Sequence, residues 1–272
     1  ENNISENTLD NVMRNIKLCV KNELSYAYYD VRSKLSGNLD DLDDTEKDAV
    51  QQIKQNSAFV IENYWSREKA LRIRDQLAEY HDKKEQYVLG DAKVDEWVRI
   101  YHVERLIPEL KEFRFDPLIL KIAKAYNGFS SYSGALVYQH DTTNAHEKSY
   151  YHVDTFLRQF KSMMYLDDVD VGNGPFSFIP GSHRKRDFFI KKQIKGNDKH
   201  KNTVFDDNEV SSMVGEEKQI CAPAGSLIMM DVGAIHRGAP QEERSRSVLM
   251  NYIVPTQSDL YLHKELPPLQ EG

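Results

Sequence analysis

The sequence predicts a β-sandwich or jelly-roll barrel with helices packed around it. Three observations predict this: short β-rich runs from about Ser130 onward, clusters of Gly, Pro, Asn and Asp between them, and helical periodicity before them. From Thr8 to Leu35, apolar Leu9, Val12, Met13, Ile16, Val20 and Leu24 recur at three- and four-residue steps without a proline. Thr45 is the expected N-cap of a helix through Ile53, because acidic residues follow it in the first turn. Ala58–Ile61 is a short apolar strand. Ser66 should cap a helix that buries Ala70, Ile73 and Leu77.

Trp97–Val103 alternates like a strand, and Pro117 opens a buried helix to Tyr126. The expected strands that follow are Gly134–Gln139, Ser149–Leu157, Ser162–Leu166, Phe176–Ile179, Lys218–Cys221, Ser226–Asp231 and Val248–Val254. Arg184–Gly215 is long, polar and rich in lysine, the composition of a functional lid or a disordered loop. A solvated lid is one reading of its basic part, and a gate that attracts an anionic substrate is the other.

The 272 residues fit one large β-rich domain with helical additions better than two small domains. A hydrophobic content of 40% supports a packed core and excludes global disorder. The net charge of −7 argues against nucleic acid as a partner, since binding a phosphate backbone draws on an excess of Lys and Arg. No apolar stretch approaches a bilayer span, and the acidic start is unlike a secretory signal, so no membrane partner and a cytoplasmic location are expected. Cys19 and Cys221 lack CxxC spacing and read as reduced thiols.

The chemistry concentrates at His152-Val153-Asp154, with His236 far downstream. Residues two apart on a strand face the same way, so His152 and Asp154 can grip a metal from one side while His236 closes the set. Two imidazoles and one carboxylate form the facial triad of non-haem Fe(II), which leaves coordination sites open. Arg246 begins a strand and can offer a two-pronged fork to a carboxylate such as that of a 2-oxoacid. Arg244 shares its strand face, but Arg246 adjoins the apolar run directly. The HxD pair alone is weak. Its weight comes from the predicted strand around it, from Asn173-Gly174 with Pro180-Gly181-Ser182-His183, and from Pro223-Ala224-Gly225-Ser226 before His236.

On these residues the chain resembles the phytanoyl-CoA dioxygenase family of Fe(II)/2-oxoglutarate oxygenases. The resemblance runs from about Lys47 to Val254 and implies a double-stranded β-helix, a cupin-like jelly roll, for residues 46–272. The 184–215 stretch would then be a lid-like insertion, and residues 1–45 a helical N-terminal extension. It implies His152, Asp154 and His236 as iron ligands, Arg246 as partner of the 2-oxoglutarate C5 carboxylate, and Gln139 as a further candidate for 2-oxoglutarate contact. Related halogenases replace the carboxylate with Ala or Gly, so Asp154 implies oxygen transfer instead.

The activity implied is oxidation, most simply hydroxylation, of an unactivated C–H bond in a small molecule. O2 is consumed, and succinate and CO2 are released. Oxidative cyclisation, desaturation and a non-catalytic metal-binding jelly roll are the alternatives. His183 is expected to brace its turn and His102 to pack in the core. His81, His140, His146, His200 and His263 are expected at the surface.

Overall fold

In the computed structural model the residues described are 6–35, 40–80, 97–143, 150–195, 203–212 and 216–255. The chain opens with a long helix α1 (Glu6–Leu35) and then α2 (Asp44–Asn56). Asp43, not Thr45, caps α2. Its carboxylate accepts from Glu46 N at 2.8 Å while the Glu46 side chain accepts from Asp43 N, a reciprocal box that Thr45 cannot form from inside the first turn. Strand β1 (Ala58–Ile61) and helix α3 (Arg67–Ala78) follow, the latter capped by Ser66 as expected.

Strand β2 (Trp97–Tyr101) leads through two 3₁₀ turns to the short α4 (Lys111–Arg114) and then α5 (Pro117–Asn127). Asp116 caps α5, accepting from Leu118 N and Ile119 N. Gly128 ends it at φ 75°, where a Cβ would lie 2.5 Å from the backbone of Arg32 and Ser33. Only glycine lets α1 approach that closely.

The strands continue with β3 (Ser131–Asp141), β4 (Tyr151–His152), β5 (Phe160–Tyr165) and β6 (Phe176–Phe178). Next come α6 (Arg186–Lys195), β7 (Val204–Phe205) and α7 (Asp207–Ser211). The last strands are β8 (Lys218–Ile220), β9 (Leu227–Asp231), β10 (His236–Gly238) and β11 (Arg246–Pro255).

Two sheets form, in the orders β1-β9-β5-β11-β3-β2 and β7-β4-β10-β6-β8, with antiparallel neighbours throughout. This is the predicted jelly roll. Strand parity separates two cores. Met163 and Tyr165 of β5, with Val248 and Met250 of β11, face the smaller sheet. Phe160, Met164 and Leu249 face outward and are covered by Ile53 of α2, Ile73 and Leu77 of α3 and Ile122 of α5. Each such buried side chain contributes on the order of 1.5–3 kcal/mol.

Two expectations need correction. The Ser149–Leu157 strand shrinks to Tyr151–His152, because Val153 N turns to Thr203 O and Asp154 N to Val232 O. The 184–215 stretch, read as a functional lid or a disordered loop, holds regular elements among its described residues. It supplies α6 and α7, and β7 pairs with β4 through Tyr151↔Phe205 and His152↔Val204. Its basic residues are partly committed, Arg186 to Glu23 and Lys192 to Glu209. Among the described residues no helix is long and apolar enough to cross a membrane.

Candidate metal centre and its cavity

His152 and His236 are direct cross-strand partners of β4 and β10, which brings their ring centroids to 4.4 Å. Asp154, just past the end of β4, places Oδ1 3.6 Å from His152 Nε2 and 3.7 Å from His236 Nε2. The ligand atoms of the three residues lie within 4.8 Å of one another. Each imidazole is oriented by a backbone carbonyl: His152 Nδ1 donates to Tyr150 O at 2.9 Å and His236 Nδ1 to Ala234 O at 2.8 Å. A carbonyl only accepts, so the proton sits on Nδ1 and both Nε2 lone pairs turn toward Asp154. Neutral nitrogens facing one carboxylate oxygen are the donor set that divalent iron takes.

Electrostatics keep the triad in its metal-binding form. Withdrawal from water, together with the neighbouring His152, pushes the His236 imidazole down to about 3. Burial alone would raise the Asp154 carboxyl, but the Lys161 ammonium holds it well below the usual carboxylate range. Lys161 of β5 donates to Asp154 Oδ2, leaving Oδ1 to the histidines, and its ammonium lies 3.9 Å from the Tyr252 ring centre.

Beside the triad opens a cavity of about 140 Å³, with Arg99, Gln139, Lys161, Arg246 and Tyr252 in its wall. Arg246 is 5% exposed. Its Nη2 donates to Asp141 Oδ2 at 2.7 Å and its Nη1 to Gly174 O, while Nε has no partner among the described residues. Gln139 donates from Nε2 to Asp141 Oδ1 at 2.6 Å, and its Oε1 accepts from Arg99 Nε at 2.6 Å. One network therefore ties Arg99, Gln139, Asp141 and Arg246 together along the wall. Arg244 instead pairs with Asp170 at the surface.

The flanking motifs brace the site from outside. Ser182 Oγ accepts from Ile235 N at 2.8 Å, fixing the turn immediately before His236. His183 is buried between Ser57 Oγ at 2.7 Å and Lys54 O at 3.2 Å, the bracing role expected of it. Asn173 Nδ2 donates to Ser245 O at 3.1 Å, pinning the start of β11. His140 is not a plain surface residue, since its Nδ1 meets Ser247 Oγ at 2.9 Å and burial pushes its imidazole down. His102 sits outside the cavity, 3.7 Å from the Glu104 carboxylate. His81, His146, His200 and His263 lie outside the described residues.

Three residues of this site escaped the sequence reading: Arg99, Asp141 and Lys161. Alternation in Trp97–Tyr101 places Arg99 with Trp97 and Tyr101 on one face, a usable signal. Lys161 stands one residue before the strand expected there, as a lone charge in an apolar run.

A jelly roll with two histidines and an aspartate converging at its mouth is the architecture of the non-haem iron oxygenases. Residues 44–248 match the phytanoyl-CoA dioxygenase family, and the chain belongs to it. It is a non-haem iron, 2-oxoglutarate-dependent enzyme whose cofactor and cosubstrate are Fe(II) and 2-oxoglutarate.

Solved structures share the fold at low identity. The α-ketoglutarate-dependent epimerase SnoN from nogalamycin biosynthesis superposes with a TM-score of 0.58 at 13% identity, over 84% of this chain and 92% of that one. The carbocyclase SnoK of the same biosynthesis gives 0.56 at 16%, covering 86% and 95%. EctD from S. alaskensis with 2-oxoglutarate and 5-hydroxyectoine gives 0.59 at 12%, covering 84% and 86%. No curated protein matches the chain.

Proposed function

We propose that His152, Asp154 and His236 hold the iron, that Arg246 receives the C5 carboxylate of 2-oxoglutarate, and that the enzyme hydroxylates an unactivated C–H bond of a small-molecule metabolite. The observation that carries this reading is the convergence of both Nε2 atoms and Asp154 Oδ1 beside a cavity walled by a buried arginine. Bound iron, with 2-oxoglutarate and O2, supplies the oxidising power, while the protein supplies geometry and seclusion.

The backbone carbonyls of Tyr150 and Ala234 fix the tautomers, and Lys161 holds Asp154 Oδ2 so that one oxygen faces the histidines. Asp141 sets the plane of the Arg246 fork, and Gln139 steadies Asp141 from the other side. In this reading Gln139 contributes to the cosubstrate site by orienting that network, and Arg99 adds positive charge to the same wall. Two free thiols, Cys19 and Cys221, support a reducing cytoplasmic setting.

The test is succinate release from Fe(II), 2-oxoglutarate and O2 across a metabolite panel, with mass spectrometry of the product. A gain of one oxygen supports hydroxylation. A loss of two hydrogens reassigns the reaction to cyclisation or desaturation. Absence of succinate for every candidate, with iron bound, overturns the hydroxylation of these metabolites.

A further inference from the structure

Two of the three triad residues are placed by the carbonyls of a single turn. Asp154 N donates to Val232 O at 3.1 Å, and His236 Nδ1 donates to Ala234 O at 2.8 Å. The turn between β9 and β10 therefore sets where both residues sit. Beneath it lies Asp231, the last residue of β9, which is 2% exposed. Its Oδ1 accepts from Gly233 N at 2.8 Å and from Gln159 N at 3.2 Å, and its Oδ2 accepts from the Tyr126 hydroxyl. We propose that Asp231 is a positioning residue for the metal centre. Its carboxylate holds the 232–235 turn, and through the carbonyls of Val232 and Ala234 it fixes Asp154 and the tautomer of His236. The proposal rests on the iron reading above and extends it to a residue that is not itself a ligand.

Three observations carry the argument. A buried carboxylate is costly unless its lone pairs are met, and both oxygens of Asp231 are used. The bonds of Oδ1 go to the backbone of the turn and to Gln159, whose own carbonyl accepts from Val232 N at 2.9 Å. One oxygen thus clamps the turn to the stretch that enters β5. Next, the turn is pressed against that oxygen. A Cβ at Gly233 would lie 3.0 Å from Asp231 Oδ1 and 2.7 Å from Leu157 O, so neither side can shift without the other.

Finally, the carboxylate is anchored on the side away from the turn. Tyr126 of α5 is fully buried, and Arg158 Nη1 donates to its carbonyl at 3.1 Å while the guanidinium lies 4.8 Å from its ring centre. Arg158, itself 4% exposed, brings a buried positive charge that offsets Asp231. The helical layer holds Asp231, and Asp231 holds the turn. His152 is oriented by Tyr150 O from a different segment, so it should not feel a change at Asp231.

The test compares Asp231→Ala, Asp231→Asn and Gly233→Ala in the full chain, with Leu249→Ala as a variant weakened in the core alone. Asparagine keeps a carbonyl oxygen for the two backbone N–H groups but takes from the Tyr126 hydroxyl its acceptor. It should lower the urea midpoint and keep the turn. Alanine at 231 loses both, and Gly233→Ala leaves every polar group in place while pushing the turn off the carboxylate. Long-range proton–nitrogen NMR of the metal-free protein reads the imidazole tautomers. The His236 signal, assigned from its loss in His236→Ala, should pass from the Nδ1–H form to a mixture in Asp231→Ala and Gly233→Ala, with His152 unmoved. Anaerobic calorimetry should show Fe(II) binding about tenfold weaker in those two variants, and close to wild type in Asp231→Asn and Leu249→Ala.

A His236 signal or an iron affinity that stays at the wild-type value in Asp231→Ala and Gly233→Ala overturns the proposal. So does an iron affinity in Asp231→Asn as low as in Asp231→Ala, because affinity would then follow stability and not the turn. Should Asp231→Ala fail to fold, Gly233→Ala decides. The iron reading fails separately. If the wild type takes up no Fe(II), or His236→Ala takes it up equally well, that reading falls, while the metal-free NMR still decides whether Asp231 holds His236.

Discussion

The two sheets of this jelly roll are built on opposite principles. In the six-stranded sheet, β3 and β11 run for 11 and 10 residues, and the sheet is buried on both faces by the two hydrophobic cores. In the five-stranded sheet no strand exceeds three residues, yet it carries both histidines of the triad. The large sheet holds the molecule together, and the small one is a scaffold whose backbone groups aim side chains. Stability and chemistry should therefore respond to different substitutions.

The sharpest way to break that division is His236→Ala. Loss of a ligand should exceed the roughly 10–100-fold effect of losing a residue behind one, so iron affinity drops by more than about 100-fold and turnover disappears. Anaerobic titration calorimetry reads the first and succinate release the second, and the urea midpoint should move less than in the core variant that follows. Leu249→Ala, in the outer core of β11, should cost about 2–5 kcal/mol in urea unfolding while the folded fraction keeps its iron affinity. Comparable losses of iron affinity and stability in both variants would erase the distinction.

Lys161→Met tests the link between the sheets, since β5 belongs to the large sheet and Lys161 reaches Asp154. Iron affinity should fall about 10–100-fold, with 2-oxoglutarate binding to the residual holoenzyme less affected. Gly238→Ala is milder. The new methyl would sit 3.0 Å from Arg246 Nη2, crowding the fork and raising the KM for 2-oxoglutarate several-fold, roughly the loss of part of one hydrogen bond, with kcat nearly unchanged.

The smallest effect concerns pH. Burial holds the His183 imidazole below its ordinary value of 6.5, so the folded chain binds fewer protons there than the unfolded one. Stability is unaffected above that range and declines as pH falls through it toward the depressed folded value. Thermal unfolding at pH 7.5 and pH 5 should show a smaller drop in His183→Gln than in the wild type.

The same contrast explains what could be read from the sequence. His152 and Asp154 were legible as a pair from their two-residue spacing, although Asp154 lies past the end of β4 and is placed by its N–H donating to Val232 O, and the motif around Gly174 and Ser182 marks the turns that support them. The large sheet was legible from its apolar runs. Strands β4 and β7 were not legible at their true length, since two-residue ladders are defined by their partners, Thr203 O and Val232 O among them, and not by local pattern.

Lys161 was hidden for a different reason. All six residues of β5 are buried, so no alternation reveals which face each one takes. Asp43 displaced Thr45 as a cap because the deciding hydrogen bond comes from Glu46, three residues on. The docking of α1 rests on ion pairs such as Glu23 with Arg186, 163 positions apart, which no window along the chain can detect.

The pairing of β7 with β4 has a practical consequence. The segment between β6 and β8 would be the natural target for anyone trimming or exchanging loops to alter selectivity. Yet Val204 and Phe205 hydrogen-bond the very strand that presents His152, so deleting them would loosen a metal-binding side chain from behind. Grafts at this position should keep residues 203–205 in register and vary what lies on either side.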